Sequence, residues 1–154
     1  MKTILFSLWA CLLVLSAQSQ ADSSPENTIE QEVLRRVNAH RASLGKPALQ
    51  NDAVLYEQAH AHARNMAEGK TAFGHDGFEH RVRMVSRRRT IKSMAENVAY
   101  LENSIPHLAN EAVASWLASP GHRENIEGDF THTAIAVYRL HGYTYFVQLF
   151  ASYY

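Results

Sequence analysis

The sequence predicts an α+β domain, helical over most of its length and closed by a β-hairpin. Apolar residues recur at helical spacing from about Thr28 to Glu68 and again up to Ser119. After Ile126 the composition changes. Ala134 to Leu140 and Tyr143 to Tyr153 are rich in β-branched and aromatic residues, and His141-Gly142 between them suits a two-residue turn. Helical segments followed by strands, in 154 residues without an internal repeat, point to one domain able to bury a core.

The amino terminus reads as an export signal. Met1-Lys2 is a short positive start, and Ile4 to Leu15 is an apolar run of about 12 residues, too short to span a bilayer comfortably. Ser19-Gln20-Ala21 places small residues where a signal peptidase cuts. The expected organisation is a signal over residues 1–21, a polar lead-in over 22–28 and a domain over 29–154. The single cysteine, Cys11, would leave with the signal, so the mature chain has no disulfide and no thiol nucleophile. Removing Lys2 leaves 14 basic against 15 acidic side chains, a net charge of −1 with histidine neutral. That balance excludes nucleic acid as a general electrostatic partner.

The elements follow in order. Thr28-Ile29-Glu30-Gln31 is a capping box, and Ile29, Val33, Val37 and Leu44 fall near one stripe of the helix it opens. Gly45 and Pro47 end that helix, with His40 and Arg41 expected at a solvated, dipole-compatible end. Asn51 or Asp52 caps a second helix running to about Glu68. Leu55, Ala59, His62, Ala63 and Met66 share one face of it. His60 and His62 point to different sides of that helix and cannot chelate one ion, so His62 is expected as a hydrogen-bonded core residue.

Gly74 and Gly77 bracket His75-Asp76 in a loop anchored by Phe73 and Phe78. The bracketed His75 is either a fixed, inward-facing imidazole or an exposed loop residue. Arg81, Arg83, Arg87, Arg88, Arg89 and Lys92 form a basic run, read chiefly as a solvated face. Glu96 interrupts the small apolar stretch Met94–Tyr100 and needs a partner if buried. A further helix should begin at Ser104 or Ile105, with Pro106 in its first turn and Leu108, Ala112, Val113, Trp116 and Leu117 on its apolar face. Pro120 forces Ser119 out of helical geometry, which directs His122 away from that helix.

Three segments together resemble the CAP superfamily, in its disulfide-free bacterial form. They are Phe73-Gly74-His75-Asp76-Gly77-Phe78, Ala95-Glu96-Asn97-Val98-Ala99, and Trp116 through Ile126 with its Ser-Pro-Gly-His-Arg core. The likeness spans about Ile29 to Phe150. It implies a three-layer α-β-α sandwich with a small, mostly antiparallel sheet. It also implies a central cleft where His75, Glu96 and His122 could hold zinc or another divalent ion, with His132 as an alternate ligand. Ala95 stands where the family's glycine is usual, and Ser119 where animal and plant members carry a glutamate.

The expected function is a binding module, secreted or periplasmic, monomeric or weakly dimeric, with a lipid, wall polymer or protein as ligand. A metal-dependent hydrolase is the alternative, since two imidazoles and a carboxylate on zinc could acidify a bound water. A second alternative is a structural role, in which the His/Glu cluster fixes the fold and touches no ligand.

Overall fold

The computed structural model describes residues 24–154; the expected export signal lies outside the described residues. Helix α1 (Pro25–Ser43) starts one turn before the capping box. Ser24 is its cap, accepting from the Asn27 N–H at 3.2 Å, and Pro25 occupies the first helical position, where its missing N–H costs nothing. The Gln31 amide donates to Asn27 instead of reaching back to a Thr28 cap. Much of the expected polar lead-in is therefore helix.

The expected solvated end of α1 is also corrected. Arg41 is 1% exposed. Its guanidinium donates to the carbonyls of Pro47, Ile126, Gly128 and Phe130 at 2.8–3.3 Å, tying α1 to the segment from Ile126 to Phe130. Burial lowers its pKa, opposed by the Asp129 charge. His40 pairs with Glu127 at 2.9 Å.

Asp52 caps α2 (Ala53–Ala67), accepting from Val54 and Leu55 N–H groups at 2.7 and 3.1 Å. Burial alone would raise the Asp52 pKa, but those two bonds and Arg89 hold it below the ordinary value of 3.8. A depressed carboxylate stabilises the fold above its unfolded pKa and loses that contribution as pH falls through the folded value. Asp52→Ala is expected to cost about 1 kcal/mol at neutral pH. The cost should shrink below pH 3.8, measured by urea unfolding at stepped pH.

The remaining elements are β1 (Gln50–Asn51), α3 (Phe78–Ser86), β2 (Ile91–Glu102), α4 (Leu108–Ala118), α5 (Pro120–Glu127), β3 (His132–Leu140) and β4 (Tyr143–Tyr153). The strands form one sheet in the order β1-β3-β4-β2. Only the short β1–β3 pairing is parallel. His141 and Gly142 both have positive φ, 49° and 84°, the backbone a tight hairpin turn of matching twist requires. Helix α4 begins later than Pro106 suggests. Its cap is His107, at φ 58°, and residues 103–107 form turns, with Asn103 N–H bonded to Gly142 O and Ile105 N–H to Glu102 O.

Side chains alternate across the sheet, so each face builds its own core. On one face Val33 and Val37 of α1, Val113 and Trp116 of α4 and Ile126 of α5 pack against Phe146 and Phe150. On the other, Leu55, Ala59 and Ala63 of α2 and Val85 of α3 pack against Ala134, Ala136, Val147 and Leu149. Small residues on both partners let α2 lie close to the strands. The result is the three-layer α-β-α sandwich expected, with five helices and a mostly antiparallel four-stranded sheet among the described residues. No helix among them is long and apolar enough to cross a membrane.

Candidate functional site

Strand β2 is an edge strand, and the loop before α3 and the start of α5 converge on it. Adjacent residues on a strand face opposite sides. Glu96, level with Leu149 and Ala134, faces the α2–α3 layer. Asn97 faces the α4–α5 layer, donating to the His122 carbonyl at 3.0 Å and accepting from Asn125 at 2.9 Å. Asn125 also donates to the Glu96 carbonyl at 3.2 Å. Trp116 Nε1–H donates to the Val98 carbonyl at 3.0 Å, which docks α4 on the same strand. These bonds set where α5, and with it His122, sits against β2.

The loop is held from the other side. Gly74 and Gly77 have φ of 144° and 78°, so the chain around His75-Asp76 follows a path most residues avoid. The Gly74 carbonyl is fixed at 2.8 Å by His62, whose Nε2 must carry the proton because a carbonyl only accepts. Burial holds the His62 pKa below its ordinary value, partly offset by that bond. His62 is thus the hydrogen-bonded core residue the sequence suggests. Arg81 donates to the Asp76 carbonyl at 2.9 Å, the His75 carbonyl at 3.3 Å and Glu96 Oε1 at 2.7 Å.

His75 therefore combines both readings of its loop. Its side chain is 51% exposed, yet Nδ1–H donates at 2.9 Å to Glu96, whose side chain is 2% exposed. In the neutral tautomer its Nε2 carries a free lone pair. The His122 ring lies 6.2 Å away, centroid to centroid, tilted by 54°. Burial first, then the proximity of His75, lowers the His122 pKa, which favours the neutral imidazole.

The structure thus brings together His75, Glu96 and His122. His132 stands elsewhere, on β3, separated from β2 by β4; its ring packs beside Tyr153, and its Nδ1 meets the Thr131 hydroxyl at 2.8 Å. Glu96 is engaged by its neighbours. Its Oε1 serves both Arg81 and His75, and its Oε2 is buried without a partner. No group of three His, Cys, Asp or Glu among the described residues is placed to hold a metal ion. A three-ligand zinc centre does not fit these residues. What fits is a pair of imidazoles, one oriented by a carboxylate behind it, the support that metal-binding histidines ordinarily have.

Arg81 is the functional residue that the basic run concealed. It falls on the stripe of Phe78 and Val85, and that helical spacing was the available signal. Arg88 and Arg89 pair with Glu57 and Asp52, so part of the run is tied to acids on the α2 side.

The α-β-α sandwich is the architecture that the resemblance to the CAP superfamily implied. The chain belongs to the cysteine-rich secretory protein (CAP) family, whose model matches residues 34–150. Among solved structures it is similar to an outer surface protein from Borrelia burgdorferi, at 20% identity and TM-score 0.70, covering 85% of this chain and 97% of that one. It is similar to an extracellular SCP-domain protein from Bacillus anthracis, at 25% identity and TM-score 0.69, covering 82% of this chain but 41% of the longer relative. It also resembles NaASP2, solved with Zn2+, at 15% identity and TM-score 0.59, covering 85% and 82%. No curated protein sequence matches the chain.

Proposed function

We propose that this protein is an exported binding module whose ligand seats on the His75–His122 pair at the β2 edge. The observation that carries this reading is an exposed imidazole fixed to a buried carboxylate that Arg81 fixes in turn. Ordering a contact residue in advance lowers the entropy lost on binding. In the neutral tautomer each imidazole of the pair offers a nitrogen lone pair, suited to a divalent ion or to a hydrogen-bond-donating ligand. Two imidazoles would leave the other positions of a zinc ion to water or ligand, and such an ion would add an electrophilic contact. NaASP2, a relative in fold, was solved with Zn2+. The signal-like residues 1–21 and the outer-surface and extracellular relatives support export.

Calorimetric titration of zinc into the chelator-treated chain from Asp22 onward tests the pair. One site per chain is expected, abolished by His75→Ala and by His122→Ala and untouched by His132→Ala. Glu96→Gln should weaken it about 10-fold or more by freeing the His75 ring. No zinc uptake by folded wild type would remove the metal from this reading and leave a ligand with N–H or O–H donors to be sought.

A further inference from the structure

A cavity of about 620 Å³ opens between α1 and α2 over the outer edge of β3, at the opposite edge of the sheet from the His75–His122 pair. Its wall is aromatic. Tyr56 and His60, one turn apart on α2, stack with centroids 5.8 Å apart, and Tyr138 of β3 meets His60 edge-on at 5.8 Å. Its remaining charge is acidic. Glu30 and Glu26, one turn apart on α1, both line it.

Glu30 is held rigidly. Its Oε1 accepts from the Val137 N–H at 2.8 Å, on the unpaired edge of β3, and from the Tyr56 hydroxyl at 3.2 Å. Both bonds fall on that one oxygen, which leaves Oε2 available to a ligand in the cavity. Neither Glu30 nor Glu26 forms an ion pair among the described residues. The basic residue one turn beyond His60, Arg64, is paired with Glu68 at 2.7 Å and reaches the Tyr138 hydroxyl at the rim, outside the lining of the cavity. Burial, with a smaller contribution from the Glu26 charge, raises the Glu30 pKa despite the two hydrogen bonds. A carboxylate without a counter-ion behaves in this way. Two like charges a turn apart repel, and a cation between them relieves that cost. Aromatic faces beside a fixed carboxylate attract an organic cation through the ring quadrupole and the full charge together.

We propose that this cavity binds an organic ammonium group, with Glu30 as its counter-ion and Tyr56, His60 and Tyr138 as its aromatic wall. The charge can reside on a quaternary ammonium or on a protonated amine carrying an alkyl stem. This site is independent of the histidine pair, and its occupation requires nothing at His75 or His122.

Two-dimensional NMR titration of the chain from Asp22 onward tests it with choline, with n-butylammonium and with 3,3-dimethylbutan-1-ol, an uncharged isostere of choline. At least one of the two cations should saturate, shifting resonances of Tyr56, His60 and Tyr138, while the alcohol does not. The cation that binds more tightly distinguishes a quaternary head from a primary amine. Glu30→Gln keeps an oxygen for Val137 and Tyr56 and should weaken binding at least 10-fold. His60→Leu removes a ring without touching Glu30 and should weaken it at least threefold, which covers the case of a Glu30 variant that does not fold. His75→Ala should bind as wild type. Absence of binding by both cations, equal binding of the alcohol, or unchanged affinity in both Glu30→Gln and His60→Leu would overturn the proposal.

Discussion

Arg41→Met should lower the urea midpoint more than any other single change at a charged residue distant from the His75–His122 pair. The methionine fills the volume of the stem but leaves the carbonyls of Pro47, Ile126, Gly128 and Phe130 without their donor. A buried acceptor stripped of its partner costs about 1–3 kcal/mol, so even with water reaching some of them the loss should be about 3 kcal/mol or more. Domains of this size are stable by about 5–15 kcal/mol, which makes that loss a large fraction. Arg41→Lys keeps the charge but not the planar fork that reaches several carbonyls at once, and should fall between wild type and Arg41→Met. The same contacts hold the end of α5, so the Lys variant should also shift the His122 resonances. A midpoint change equivalent to under about 0.5 kcal/mol in Arg41→Met, the range of ordinary surface substitutions, would show that these bonds do not stabilise the fold.

The second large effect is expected at Arg81. Arg81→Met leaves the Glu96 carboxylate, 2% exposed, with only the His75 N–H opposite it. Breaking a buried ion pair from one side costs about 3–5 kcal/mol, since the remaining charge is uncompensated. At about 2–4 °C per kcal/mol, the melting temperature should drop by roughly 10 °C. The double change Arg81→Met with Glu96→Gln should recover much of this, because a neutral amide no longer demands a cation. The His75 ring gives a separate readout. In Arg81→Met the loop carbonyls of His75 and Asp76 also lose their donor, so the imidazole should gain rotamer freedom, visible as line broadening in its NMR signals. If the double variant were as unstable as the sum of the singles, Arg81 would be acting through packing alone.

Several features of this chain were decided locally and could be read without a structure. Asp52 caps α2 because its side chain bonds N–H groups two and three residues on. Ser119 is extended, at φ −91° and ψ 120°, because Pro120 follows it, although Gly121 takes no positive φ and its freedom is not used. His141-Gly142 turns the hairpin, and the glycines around His75 shape its loop. The apolar face of α2 is buried as its spacing requires.

Other features were decided by partners far along the chain. Strand β2 has few strand-favouring residues around Ala95-Glu96-Asn97, and it is a strand because β4 pairs with it in register, some 50 residues later. Arg41 and Arg81 carry the charges of surface residues, yet both are buried because carbonyls and a carboxylate from other segments meet them there. Which histidine faces His75 depended on α5 packing across the β2 edge, which Asn97 and Trp116 control. Caps, turns and periodicity act within a few residues, so the presence of α1, α2 and α4, the hairpin and the glycine-bracketed histidine loop were legible in the chain alone, whereas the helical form of α5 was not. Burial of charge and the meeting of distant side chains depend on how those pieces stack. The Glu96–Arg81 support, the His75–His122 pair and the aromatic, acidic cavity between α1 and α2 therefore arise only once the layers are assembled.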